Sequence, residues 1–131
     1  MSTKDSEKLD TEKLESFIGV ETEFKGEVKV KGTLRIEGLF HGKVFADFVI
    51  LCESAVIQGD ITAKKISVNG KIEGNLRAQE IVEIKAKGKV RGEIYAPKFS
   101  MAEGGEFNGK IEMKIEEGKV IEYETKNQGS L

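Results

Sequence analysis

Ile57-Gln58-Gly59-Asp60-Ile61-Thr62-Ala63-Lys64-Lys65-Ile66-Ser67-Val68-Asn69-Gly70 carries the pattern on which the chain is built. It opens as apolar-x-Gly-x-apolar, adds a small apolar residue two positions on, and closes with an alternating apolar pair before a glycine. Alternation at period two is what a strand with one buried face requires. The opening recurs as Phe24-Lys25-Gly26-Glu27-Val28, Phe40-His41-Gly42-Lys43-Val44, Ile72-Glu73-Gly74-Asn75-Leu76, Val90-Arg91-Gly92-Glu93-Ile94 and Phe107-Asn108-Gly109-Lys110-Ile111. Gly-to-Gly intervals are 16, 17, 15, 18 and 17 residues, and a near-constant interval signals stacked repeats.

The copies continue alike. A second inward candidate follows as Val30, Ala46, Ala63, Ala78, Ala96 and Met113. A third stretch follows as Leu34 with Ile36, Val49 with Leu51, Ile66 with Val68, Val82 with Ile84, and Phe99 with Met101. Each repeat thus offers three short apolar stretches, separated by corners that carry Gly32, Gly38, Gly70, Gly88, Gly104, Gly105 and Pro97. No long alternating run flanks a two-residue turn, so the strands pair with their counterparts one coil later rather than as hairpins. The expected fold is all-β, a parallel β-solenoid of about six coils of three short strands. Its core is a set of columns, of which Phe24, Phe40, Ile57, Ile72, Val90 and Phe107 form one and Val28, Val44, Ile61, Leu76, Ile94 and Ile111 another. The charged residues between the columns face water.

Composition bounds the function classes. The 131 residues hold 21 Lys+Arg and 23 Asp+Glu, a formal net charge of -2, with no clustered basic stripe to suit nucleic acid as the main partner. One cysteine, Cys52, forms no disulfide within the chain and excludes a Cys-ligated metal site within one chain, which fits the cytoplasm. The first residues lack the apolar segment of a signal peptide, and the longest apolar run, Phe48 to Cys52, is far below the roughly 20 residues of a spanning helix. Residues 1–16 are polar, with Leu9 and Leu14 their only sizeable apolar side chains, and are expected as a flexible tail. The repeat body spans 17–113. Residues 114–131 are expected as a partial extra coil or a hairpin followed by a polar tail.

Catalytic patterns are sparse. His41 is the single histidine and stands where Lys25, Gln58, Glu73, Arg91 and Asn108 stand in other copies, so it is read as solvent-facing. Cys52 ends an apolar run with no adjacent base, which fits a small core side chain better than a nucleophile. One His per chain does not support the three-His zinc site of some left-handed β-helix enzymes, and intervals of 15 to 18 fit the strict 18-residue coil of the hexapeptide acyltransferases badly. No Gly-Lys-Ser/Thr and no helix-opening Gly-x-Gly-x-x-Gly is present. No catalytic, cofactor-binding or metal residues are assigned.

The six-copy Gly motif, the opening Ser16-Phe17-Ile18-Gly19 with Phe24-Lys25-Gly26, the Gly32-Thr33-Leu34-Arg35-Ile36-Glu37-Gly38 segment and Gly105-Glu106-Phe107-Asn108-Gly109 together resemble the bactofilins, bacterial cytoskeletal proteins. The resemblance covers residues 16 to 113. It implies a right-handed, roughly triangular β-helix that assembles end to end into nonpolar filaments without nucleotide. It also implies a scaffold at the inner face of the cell membrane that recruits cell-wall enzymes or other partners. The sequence departs from the short apolar membrane-targeting stretch that many members carry at the extreme N-terminus.

Open solenoid ends support polymerisation on their own, because unpaired strand edges and column ends are satisfied by a second copy. The expected function is a homopolymeric, non-enzymatic scaffold. Its contacts are expected at Phe17, Ile18 and Phe24 on one end and Phe107, Ile111 and Met113 on the other. The competing reading is an acyltransferase-like enzyme or a monomeric binding module with capped ends.

Overall fold

The computed structural model describes residues 15–114 and 120–126, and the chain within them is all strand, with no helix. Residues 1–14 of the tail expected at 1–16, and the stretches 115–119 and 127–131, lie outside the described residues. Eleven strands run in chain order: β1 (Glu15–Ile18), β2 (Glu23–Lys29), β3 (Thr33–Ile36), β4 (Leu39–Phe45), β5 (Phe48–Leu51), β6 (Val56–Val68), β7 (Lys71–Ile84), β8 (Lys89–Tyr95), β9 (Phe99–Met101), β10 (Glu106–Lys114) and β11 (Val120–Lys126). β1 to β10 form one parallel β-solenoid of about six turns.

Two ladders run along it. The Gly-motif stretches pair in parallel as β2, β4, the first half of β6, the first half of β7, β8 and β10. The closing stretches pair in parallel as β1, β3, β5, the second halves of β6 and β7, and β9. Every motif glycine sits opposite the motif glycine of the next coil. The first two apolar stretches of a coil run through the glycine as one strand, because the ladder's hydrogen bonding is unbroken there. The register slips once, between Ala63 and Lys65, where β7 carries an extra residue at the corner.

The expected columns are the core. Leu34, Ile36, Val44, Val49, Leu51, Ile57, Ile61, Ile66, Val68, Leu76, Val82, Ile84 and Ile94 are all essentially fully buried, and no polar or charged residue is buried among the described residues. At about 1.5–3 kcal/mol for each large side chain buried, these columns are the main favourable contribution to folding.

The glycine column is required by geometry rather than by turn chemistry. Gly59 has φ +146°, a region that side-chain-bearing residues avoid, and a Cβ built on it would lie 1.8 Å from the carbonyl oxygen of Gly42. Gly42, Gly74, Gly92 and Gly109 meet the preceding coil in the same way. Backbone stacks on backbone at this corner, and only hydrogen fits between.

The last described strand is not parallel to its neighbour. β11 lies antiparallel to β10, with Asn108 opposite Lys126 and Lys114 opposite Val120.

Candidate assembly interface

The two ends of the stack differ in what covers them. At the first coil, β1 pairs only with β3 and β2 only with β4, so each leaves one edge without a strand among the described residues. At the last coil, β11 occupies the outer edge of β10 along Asn108–Lys114, while β9 pairs only with β7 and leaves its outer edge without a strand among the described residues.

The six residues expected at the interface fall into two groups. Phe17 is 58% exposed, Ile18 is buried, and Phe24 is half-buried with its ring stacked on Phe40 at 5.2 Å between centroids and 4° between planes. Val28 is likewise only half-buried, whereas its counterparts Val44 and Ile61 are fully buried. The first coil is therefore a core layer whose upper side has no cover among the described residues. At the other end Phe107 is fully buried, its ring 6.0 Å from that of Phe99, Ile111 is buried and Met113 is half-buried against the core.

This placement changes the expected result of Phe107→Arg. The sequence alone leads one to expect lost assembly with the remaining coils folded. With Phe107 at 0% exposure, the substitution removes a core ring and inserts an unpaired charge, at a cost of at least the about 3–5 kcal/mol of a Phe→Ala change. Coils hold one another through local contacts, so the damage begins in the last coil. Thermal melting together with limited proteolysis around β9 and β10 reads this out; a melt equal to wild type would place the ring at a surface.

The charges of the first edge are ordered in a way that a reading of solvated faces overlooks. β2 reads Glu23-Phe24-Lys25-Gly26-Glu27-Val28-Lys29, in which the sign sequence is the inverse of itself when read backwards about Gly26. Glu23, Lys25, Glu27 and Lys29 are all exposed. Lys29 bridges Glu27 at 3.8 Å and lies 5.8 Å from the Phe45 ring, both surface contacts of small energy.

The two residues weighed for chemistry occupy ordinary surface and corner positions. His41 is exposed in the column between Lys25 and Gln58. Cys52 is half-buried at a corner, where burial first and then the neighbouring Glu37 carboxylate raise its thiol pKa, which lowers its thiolate fraction. No cluster of three or more His, Cys, Asp or Glu suited to a metal occurs among the described residues. Sequence reading also missed the exposed apolar residues Val20, Leu39, Phe45, Phe48 and Val56, because in one dimension they merge with the strands beside them.

Comparison with known proteins agrees with this architecture. The family model described as "Bactofilin: Polymer-forming cytoskeletal" matches residues 16–112, from the first coil through the last. The chain is 31% identical over 103 residues to Bactofilin BacO of Myxococcus xanthus (strain DK1622), covering 78% of this chain and 82% of that protein. It is 29% identical over 89 residues to Bactofilin BacP of the same organism, covering 66% of this chain and 37% of BacP. No solved structure matches significantly. A parallel solenoid of about six turns, matched over residues 16–112 by this family model, belongs to the bactofilin family of polymer-forming cytoskeletal proteins.

Proposed function

We propose that this chain is a cytoskeletal scaffold that assembles end to end into nucleotide-independent filaments in the cytoplasm, at the inner face of the membrane, where it positions cell-shape or cell-wall machinery. The solenoid together with β11 polymerises, and the segments before β1 and after β11 make the contacts with recruited proteins or lipid. The observation that carries this reading is the sign pattern of β2. A two-fold axis through Gly26 sets Lys25 of one copy against Glu27 of the next, Glu23 against Lys29, and Phe24 against Val28. On a three-sided coil the same axis leaves through the opposite side, so β1 meets β1 antiparallel and the exposed Phe17 approaches its own counterpart. Both open edges gain partners in one contact of isologous type. The second contact uses the far end, where β11 presents the outermost edge.

Charge reversal tests the first contact. Lys25→Glu creates two like-charge pairs at each junction, costing about 1–4 kcal/mol per junction, and leaves the monomer's melting unchanged because the site is exposed. Electron microscopy without nucleotide is expected to show filaments for wild type and none for Lys25→Glu. The swap Lys25→Glu with Glu27→Lys restores opposite signs across the two-fold and is expected to restore filaments. A swap that stays dispersed would rule out the two-fold contact through Gly26.

A further inference from the structure

The first coil is covered along only one of its strands. β1 lies over β3, whereas β2 pairs with β4 alone and keeps an open edge among the described residues. Chain order says what belongs on that edge. In each coil the Gly-motif strand immediately precedes the closing strand, β2 before β3 and β4 before β5, so a strand over β2 would come from the residues just before β1. Residues 1–14, which lie outside the described ones, occupy that place in the sequence.

Edge and segment match residue by residue. β2 and the corner after it present Glu23, Lys25, Glu27, Lys29 and Lys31, all exposed. Laid in parallel with a shift of nineteen residues, Lys4 stands opposite Glu23, Lys8 opposite Glu27, Asp10 opposite Lys29 and Glu12 opposite Lys31, while Leu9 stands opposite the half-buried Val28. Four pairs have opposite signs and none has like signs. Shifts of 17, 18 and 20 each bring like charges together, Lys8 with Lys25, Asp5 with Glu23 and Glu7 with Glu27 respectively. β1 pairs with β3 at a shift of 18, so the corner absorbs one residue, as the corner beyond Ala63 does.

The match suits docking better than a permanent seventh coil. Glu7 falls at the place of the motif glycine, where Gly26 has φ +137°, and Asp5 falls in the column of Phe24 and Phe40. The segment can pair with the edge on either side of Gly26, yet it adds only Leu9 to the apolar layer.

We infer that residues 4–12 lie over β2 as a displaceable lid that keeps the first edge closed in free subunits. Filament growth then requires the lid to leave, and a protein that binds the segment before β1 frees the edge as it is recruited. The regulatory part rests on the end contact through β2 proposed above, and the docking itself does not. Tethered to β1 by residues 13 and 14, the segment has an effective concentration on the order of millimolar at the edge, an advantage over free copies at micromolar protein. Its charge pairs are exposed and of small energy, so raised salt opens the lid.

The test uses the full chain carrying Cys52→Ala, into which pairs of cysteines are placed. Lys8→Cys with Glu27→Cys leaves three of the charge pairs and sets the two Cα atoms one strand spacing apart in the docked lid, about 4.8 Å, within the range a disulfide needs. Lys8→Cys with Glu23→Cys sets them more than about 12 Å apart. Under mild oxidation of dilute protein the first pair is expected to close within the chain at least about tenfold faster than the second, read as a compact monomer band on a denaturing gel. In the chain without added cysteines, Lys4→Glu with Lys8→Glu is expected to speed hydrogen exchange over residues 23–31 at least about fivefold. The same reversal is expected to lower the critical concentration for filaments at least about threefold in pelleting assays. Equal closure of the two cysteine pairs, or exchange unmoved by the reversal, would overturn the docking, and a critical concentration that stays or rises would overturn the regulation. Failure of the end contact is distinguishable, because filaments then survive Lys25→Glu while crosslinking and exchange still read the lid.

Discussion

Gly59→Ala is expected to collapse the middle of the solenoid. The added methyl would sit 1.8 Å from the Gly42 carbonyl oxygen and must be carried at φ +146°. Backbone strain of this kind costs about 1–3 kcal/mol, and forcing two coils apart adds another about 1–3 kcal/mol. Against a total stability of about 5–15 kcal/mol, the sum removes much of the margin and lowers the melting temperature by roughly 10 °C or more. Gly26→Ala is the matched control, because its φ is +137° but its Cβ meets nothing nearer than the Phe24 ring at 3.6 Å. It carries the strain without the collision, and circular dichroism melts of the two proteins should separate the two costs. Equal melts would mean that the coils are not stacked through their glycines.

Ile61→Lys is expected to unfold the chain at neutral pH. Ile61 has no exposure and lies between Val44 and Leu76 in the ladder, so the ammonium group has no water and no acid to meet. Loss of about 1.5–3 kcal/mol of apolar burial is joined by a desolvation cost of several kcal/mol. The pH dependence identifies the cause. Burial favours the neutral amine, so the lysine pKa in the folded state falls below the about 10.4 of the unfolded chain. Between those two values the unfolded state binds more protons, and stability therefore rises with pH until the unfolded lysine too is neutral. A urea midpoint that increases from pH 7 to pH 10 in Ile61→Lys, but not in the exposed neighbour Gln58→Lys, is the expected signature. A mutant as stable as wild type at pH 7 would remove Ile61 from the core.

The columns were legible in the sequence because alternation and repeat interval are independent signals that agree at six places. Ile72 and Val90 could be assigned inward from either one, and both are buried. The function of the glycines was less legible. The motif marked Gly59 as recurrent, but only the stacking geometry shows that the neighbouring coil's backbone, not a turn, forbids a side chain there. How far each end layer is buried was legible only in part. Phe107 and Phe24 occupy the same column, yet one is fully buried, with the Phe99 ring beside it, and the other half-buried, on a strand that pairs only with β4 among the described residues. A column position says what faces inward and nothing about what lies beyond the last layer. Phe45 and Phe48 were hidden for a different reason. They stand outward in alternation with Val44 and Val49, and an aromatic residue in a strand reads as core until its parity is assigned to a face.

The constant pitch of the ladder separates length along the axis from length along the chain. Coils of 15 and of 18 residues both occupy one strand spacing, and the difference is absorbed at corners such as the slip beyond Ala63. At about 4.8 Å per coil, six coils advance about 29 Å whatever their residue count. Insertions at corners therefore decorate the surface without changing the subunit's reach, while duplication or loss of a whole coil changes it by one fixed step. A filament made from such subunits has a repeat set in whole coils, and its spacing of attached partners can shift in evolution only by those increments.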